Sequence, residues 1–339
     1  MRMILLAATV FSGFGGSALA ADVMPVTVDN FCRAETDMYM GAAVKDGALG
    51  KLIHHREPTP IDKQIVIRMN RDTLYSEGVF DLDAGPVTIA LPDTGERFMS
   101  MQVLDEDQYT VKVIYGSDSN TFTREQVGTR YLFTAVRTLV DPAKSGDLDE
   151  VHALQDAIKV EQPGGPGTFE VPSWDTASQK KIREALNVLA SAMGGFEHAF
   201  GSKSDVAPVD YLIGCASGWG GNPHKDASYA FFAPAKNDGK TIYKLHVPAG
   251  VPVDAFWSIS VYNAEGFFEK NDLDAYSVND VTAKKSADGA VDIQFGGCDG
   301  QVPNCLPVGP GWNYAVRMYR PRAEILDGTW KFPEAQPAG

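Results

Sequence analysis

The spacing of apolar residues changes period several times along the chain, and each change predicts an element. Phe31, Ala34, Met38 and Ala42 recur at helical spacing and predict a helix over 28–45, capped in the Thr27/Asp29 region. From Ile61 the period falls to two. Ile65, Ile67 and Met69 alternate with Val66, Arg68 and Asn70, which predicts a half-buried strand ending near Asn70. Strand-like runs follow at 78–82, 87–91, 98–104, 109–115 and 129–138. Turn signals such as Pro92-Asp93-Thr94-Gly95 and Gly116-Ser117-Asp118 separate them. Helical periodicity returns over 147–160, with Asp147 and Glu150 as a capping box. It returns again over 177–193, with Thr176 and Gln179 as a second box and Gly194-Gly195 as the stop. Strands resume at 229–233, 242–247, 256–263, 291–295 and 314–319. The pattern predicts a mainly β protein: two antiparallel β-sandwich or jelly-roll-like parts, with a few helices between and before them.

The expected organisation is a signal peptide at 1–20 and an N-terminal helix plus β domain at 21–145. A helical connector at 146–225, a C-terminal β-sandwich at 226–333 and a tail at 334–339 follow. The signal reading rests on Arg2, the apolar run 4–11 and the small-residue site Ala18-Leu19-Ala20. That run is shorter than the ~20 residues a membrane helix needs, and no later stretch is apolar enough to span. The expected location is the periplasm, with secretion as the alternative.

Charge narrows the partners. The formal net charge of −14 repels phosphate backbones and anionic lipid, so no nucleic-acid partner is expected. The six histidines form no H-E-x-x-H or H-x-H pair, so no metal is expected, and the export signal sets cytosolic nucleotide and redox cofactors aside, so no cofactor is expected either. Cys298 and Cys305 lie in one Gly/Pro/Asn loop, and in an oxidising compartment they read as a local disulfide. Whether Cys32 and Cys215 pair is left open by their spacing.

Several motifs resemble known families. Ile67-Arg68-Met69-Asn70-Arg71-Asp72-Thr73-Leu74-Tyr75-Ser76 resembles the signature of the bacterial domain-of-unknown-function family numbered 1254. Phe256-Trp257-Ser258-Ile259-Ser260-Val261-Tyr262-Asn263 resembles its partner family, numbered 1214, as do Arg317-Met318-Tyr319-Arg320-Pro321 and Leu326-Asp327-Gly328-Thr329-Trp330. The resemblance runs from about Phe31 to Pro333. It implies two sandwich-like parts joined by helices, often in an oligomer, and no established reaction. Relatives sometimes labelled carboxylesterases carry a label that no residue pattern here grounds.

Three constellations could carry chemistry. Arg68, Asn70, Arg71, Asp72 and Tyr75 put guanidinium, amide, carboxyl and phenol groups close together. They could grip a carboxylate or a sugar hydroxyl, or simply fix a strand-to-turn corner. In the run 256–263, Trp257, Ile259 and Val261 form a core face. Ser258, Ser260 and Tyr262 form a second face, which could line a pocket beside Arg317 and Tyr319. The Gly-rich run from Gly214 to His224 could present N–H groups to an anion, or pack as a loop around Trp219. Its spacing does not match the hydrolase elbow. His54 or His55 could serve as a base near the Asn70 corner. Two functions therefore stay open: a binding protein for a small organic or anionic ligand in a cleft between β domains, and a periplasmic hydrolase of carboxylesterase type.

Overall fold

A computed structural model describes residues 23–64, 67–142 and 144–338. The expected export signal at 1–20 lies outside them. In chain order the first part contains α1 (Phe31–Lys45), β1 (Ile53–His54), β2 (Thr73–Asp81), β3 (Val87–Ala90), β4 (Met99–Asp105), β5 (Thr110–Tyr115), β6 (Ser119–Phe122), α2 (Arg124–Val127) and β7 (Tyr131–Leu139). The middle holds α3 (Asp147–Asp156), β8 (Lys159–Glu161), α4 (Thr176–Ala190) and α5 (Pro208–Ser217). The last part contains β9 (Ala227–Phe232), β10 (Tyr243–Val247), β11 (Trp257–Tyr262), β12 (Ser277–Asn279), β13 (Val291–Phe295), β14 (Cys305–Leu306), β15 (Asn313–Tyr319), α6 (Ala323–Leu326) and β16 (Gln336–Pro337).

The first sandwich packs a five-stranded sheet, β1-β2-β7-β4-β5, against a three-stranded one, β6-β3-β8. Alternation along each strand decides what faces what. Phe80, Met101, Val103, Leu132 and Val136 of the large sheet meet Val87, Ile89 and Phe122 of the small one. The opposite face of the large sheet carries Val79, Tyr131 and Phe133, which pack on Met40 and Ala43 of α1. Helices α1, α4 and α5 bury Phe31, Ala34, Leu186 and Ile213 together. The Cys32–Cys215 disulfide, with its Cα atoms 5.5 Å apart, ties α1 to α5.

The second sandwich packs β12-β11-β15-β9 against β14-β13-β10-β16. Its core joins Trp257, Ile259, Tyr314, Val316 and Met318 to Leu245, Ile293, Phe295 and Trp312. The other face of the first of these sheets carries Ser258, Ser260 and Tyr262 on β11, Ala315, Arg317 and Tyr319 on β15, and Tyr229 and Phe231 on β9. The register pairs Arg317 with both Ser258 and Tyr229. This face turns toward the first sandwich. The mainly β, two-sandwich fold expected from the sequence is the fold observed.

Local differences have physical causes. Residues 67–70 are not a strand, and Arg68 takes a left-handed φ of 53°. The Arg68 N–H donates to Gly266 O at 2.7 Å and its carbonyl accepts from Arg317, so this backbone bonds to the second sandwich instead of a neighbouring strand. Ordered pairing starts at Thr73. The strand expected at 78–82 therefore belongs to the longer β2. Helix α3 stops at Asp156, because Lys159–Glu161 pairs with β3 as β8. Its N-cap is Gly146, and the Asp147 carboxylate instead holds Arg97. Asp175 caps α4 in place of the expected Thr176. Helix α5 was hidden by Gly214, a poor helix former. Gly214 is needed there because an added Cβ would come within 3.0 Å of Ala199 Cβ.

Candidate functional site

The two sandwiches meet along a polar seam built by residues 68–75 and the β9–β15–β11 face. At the turn before β2, Asn70 Oδ1 accepts from the Asp72 N–H at 2.7 Å, and Asn70 Nδ2 donates to Thr73 Oγ1 at 3.1 Å. The same amide donates across the seam to Tyr319 Oη at 3.0 Å. From the other side Arg317 donates to Arg68 O at 2.6 Å, Tyr262 Oη at 2.8 Å and Ser260 Oγ at 3.1 Å. Tyr262 Oη donates in turn to Met69 O at 2.8 Å. Asn279 Nδ2 donates to Asp72 Oδ1 at 3.1 Å.

Burial sets the electrostatics here. Asp72 is fully enclosed, and burial pushes its carboxyl pKa up, opposed by the Ser258 hydroxyl, Arg317 and Asn279. Asp72 Oδ2 and Ser258 Oγ are neighbours whose geometry falls short of a hydrogen bond. Burial opposes the charge on Arg317, but Tyr262, Tyr319 and Asp72 more than offset it, so its pKa is raised and the guanidinium stays charged. Burial also raises Tyr262 and Tyr319, keeping both hydroxyls protonated and able to donate. Arg68 lies with its guanidinium carbon 5.4 Å from the Phe231 ring centre. Its Nε is buried without a hydrogen-bond partner. Burial lowers its pKa and the nearby Arg317 adds to the effect, with Tyr262 opposing.

Beside this network Tyr75 meets Arg137, a residue that sequence reasoning missed. Tyr75 on β2 and Arg137 on β7 are direct cross-strand partners on the helix-covered face, with the guanidinium carbon 5.4 Å from the Tyr75 ring centre. Arg137 is only 7% exposed. It donates to Gln102 Oε1 at 2.9 Å, Gly220 O at 2.9 Å and Asn222 Oδ1 at 3.4 Å, all uncharged acceptors. Asn222 Nδ2 then reaches Tyr229 Oη at 3.3 Å, so one amide links Arg137 to β9. A lone charge at the end of the mostly apolar run Tyr131-Leu132-Phe133-Thr134-Ala135-Val136-Arg137 was the signal available in the sequence.

Of the residues singled out from sequence, the structure brings Arg68, Asn70, Asp72, Tyr262, Arg317 and Tyr319 into one seam. It separates Arg71, whose guanidinium donates to Thr59 O and lies 5.1 Å from the Tyr276 ring centre. Tyr75 turns to Arg137. The Gly-rich run packs between helix and sheet. Gly214 and Ser217 lie in α5, Trp219 stacks on Tyr39 at 4.4 Å, and the Gly220 carbonyl faces the Arg137 cation. The paired histidines are also away from the Asn70 turn: His55 pairs with Glu77 at 3.0 Å, and His54 Nδ1 lies 2.7 Å from Ser76 Oγ. Ser76 is fully buried, so this hydroxyl is not presented as a nucleophile. Cys298 and Cys305 form the expected disulfide. Among the described residues no group of three metal-ligating side chains could hold an ion, and no helix is long and apolar enough to cross a membrane.

Two cavities flank the seam. One of about 20 Å³, room for a single water, is lined by Tyr262, Tyr276 and Glu269. Another of about 300 Å³ lies at the β5 edge, between Lys112, Ser202, Lys225 and Asp226. The seam itself opens where Tyr75, Tyr229 and Arg68 are half-buried and Phe231 is 44% exposed.

These features define a two-sandwich β protein whose halves are joined by a buried, cation-rich polar seam. Residues 49–124 match the family described as protein of unknown function (DUF1254), and residues 233–323 match protein of unknown function (DUF1214). The two matches fall in the N-terminal and C-terminal parts of the chain, in the order expected from the sequence. No curated protein matches it. The VPA0106 protein from Vibrio parahaemolyticus has a similar structure, with a TM-score of 0.68 at 18% identity over 92% of this chain and 98% of that one. An uncharacterized protein from Burkholderia cenocepacia is similar with a TM-score of 0.53 at 14% identity, over 91% of this chain and 86% of that one. At these identities the likeness is one of fold.

Proposed function

We propose that the protein binds a small organic anion in the cleft between the two β-sandwiches, at Arg137. The observation that carries this reading is a guanidinium 7% exposed whose hydrogen-bond acceptors are all neutral. Burying a charge without an opposite charge is costly, and an incoming carboxylate would relieve that cost while accepting a bidentate pair. Arg68, in the turn before β2, and Arg317, on the facing sandwich, add positive potential, against the buried carboxyl of Asp72. Tyr75 and Tyr229 are half-buried beside Arg137 and Asn222, and their hydroxyls are the donors we assign to the same ligand.

The proposed setting is the periplasm or the cell exterior. Two disulfides fit an oxidising compartment, and the sequence 1–20 reads as an export signal.

Thermal melting with a panel of small carboxylates, phosphate and sulfate tests the reading. A ligand present at ~100 times its Kd should stabilise the wild-type protein by about 2.7 kcal/mol. The shift should be lost in Arg137→Gln and reduced in Tyr75→Phe, which keeps the fold. Shifts that survive Arg137→Gln, or none with any anion, would refute the site.

A further inference from the structure

We infer that the anion bound at Arg137 carries an aromatic ring, so that the ligand is an aryl carboxylate. This rests on the anion-binding reading above and specifies what lies beyond the charged end. Strand β9 runs along the edge of the seam face, and its period of two points Tyr229 and Phe231 to that face while Ala230 and Phe232 enter the sandwich core. The Tyr229 hydroxyl is linked to Arg137 through Asn222, so Tyr229 marks the charged end. Phe231 lies two residues further along the same strand, roughly 6.6–6.8 Å away, toward solvent.

The walls around Phe231 are aromatic and rigid. Its ring is near-parallel to that of Tyr229, with 6.5 Å between centres and 10° between planes. Phe196 meets it edge-on at 5.7 Å. The Arg68 guanidinium caps the group from the facing sandwich, held there by a backbone fixed at φ 53°. Despite these neighbours Phe231 remains 44% exposed, on a strand that fixes where its ring points. Parallel rings beside a guanidinium present π faces and a cation together, which suits a planar, electron-rich group better than an alkyl chain. With Arg137 at the inner end, the complementary ligand is negative at one end and flat at the other.

The test is calorimetric titration of the full-length protein with benzoate, cyclohexanecarboxylate, acetate and benzamide. Benzoate should bind about three- to tenfold more tightly than cyclohexanecarboxylate, which matches it in charge and approximate size. Benzamide, which lacks the charge, should not bind. Phe231→Leu, at an exposed position that leaves the core intact, should erase the benzoate preference without changing the affinity for acetate. Equal binding of the two cyclic carboxylates, or a preference untouched by Phe231→Leu, would overturn the aromatic inference while leaving the anion site standing. Should no carboxylate bind, the anion site itself fails, and this inference with it.

Discussion

The side-chain amide of Asn70 donates to the hydroxyl of Tyr319 at 3.0 Å, joining positions 249 residues apart in the chain. The same amide closes its own turn through Thr73 and the Asp72 N–H. One small side chain therefore shapes the turn before β2 and fastens it to β15. Both partners are buried, so the bond is made away from water and leaving it unmade is costly.

The first prediction concerns this bond. Tyr319→Phe removes a hydroxyl and should cost about 1 kcal/mol. Asn70→Ala removes three hydrogen bonds and should cost about 3 kcal/mol. In urea denaturation the double variant should cost less than the sum, with a coupling near ~1 kcal/mol. Strict additivity would mean that the contact does not hold the halves together.

A second cycle tests the charge balance of the seam. Arg317 stabilises the buried Asp72 carboxyl and satisfies the Arg68 carbonyl. Arg317→Met should destabilise by roughly 3–5 kcal/mol, because it leaves a buried acid without its cation. Adding Asp72→Asn should recover part of that loss. An equal cost of Arg317→Met in both backgrounds would show that the two groups act independently.

Particular residues show how much of this was legible. Strand β13 was readable to the residue, because Val291, Ile293 and Phe295 alternate with polar neighbours and Gly296 ends the run. The two faces of β11 were legible for the same reason, and so was the position of Arg317 and Tyr319 on one side of β15. The alternation at 67–70 misled, since period two is also met by a turn whose backbone bonds to the distant turn after β11. Helix α5 escaped because its glycine serves close packing, which no local pattern reports. Arg137 escaped because its partners come from β4 and the segment after α5. A charge inside an apolar strand announces that a partner exists, without saying where.

The third prediction is a pH dependence set by buried acids beneath α1. Burial, with Glu106 and Asp107 nearby, raises Asp37 from the ordinary 3.8 to about 6, against the Trp174 hydrogen bond and Arg33. Burial and Asp107 raise Asp105 from 3.8 to about 7, against the Tyr109 and Asp107 N–H groups and Arg33. Both carboxyls bind protons more tightly folded than unfolded. Their contribution is fully present below 3.8 and is lost as pH rises through about 6 and about 7. Asp147, lowered to about 2 chiefly by Arg97 against the effect of burial, acts oppositely, and its contribution fades only as pH falls below 3.8. The wild-type protein should thus be more stable at about pH 5 than at about pH 7.5, by up to roughly 1 kcal/mol from Asp37 and roughly 3 kcal/mol from Asp105. The gap should shrink in Asp37→Asn and in Asp105→Asn. A melting temperature that rises with pH across this window, or variants with an unchanged gap, would contradict the assignment.

The last prediction separates the two disulfides by the loops they close. Cys32 and Cys215 are 183 residues apart, whereas Cys298 and Cys305 are 7 apart. Cross-linking restricts the unfolded chain more when the loop is longer. The chain-entropy relation gives about 5 kcal/mol for the long loop and about 2.5 kcal/mol for the short one. The long bond also joins α1 to α5, the layer that backs the sheet carrying Tyr75 and Arg137, and Cys215 is fully buried. Replacing both members of the long pair, Cys32→Ala with Cys215→Ala, should lower stability more than Cys298→Ala with Cys305→Ala, as read by urea denaturation. It should also weaken carboxylate binding at Arg137, because α1 and the segment after α5 hold Trp219 and Gly220 in place. The short pair lies on the far sheet of the second sandwich, so its loss should leave that binding unchanged. Unreduced digests should show the Cys32–Cys215 and Cys298–Cys305 linkages by mass spectrometry. Free thiols in material from an oxidising compartment, or a greater stability loss from the short pair, would contradict this account.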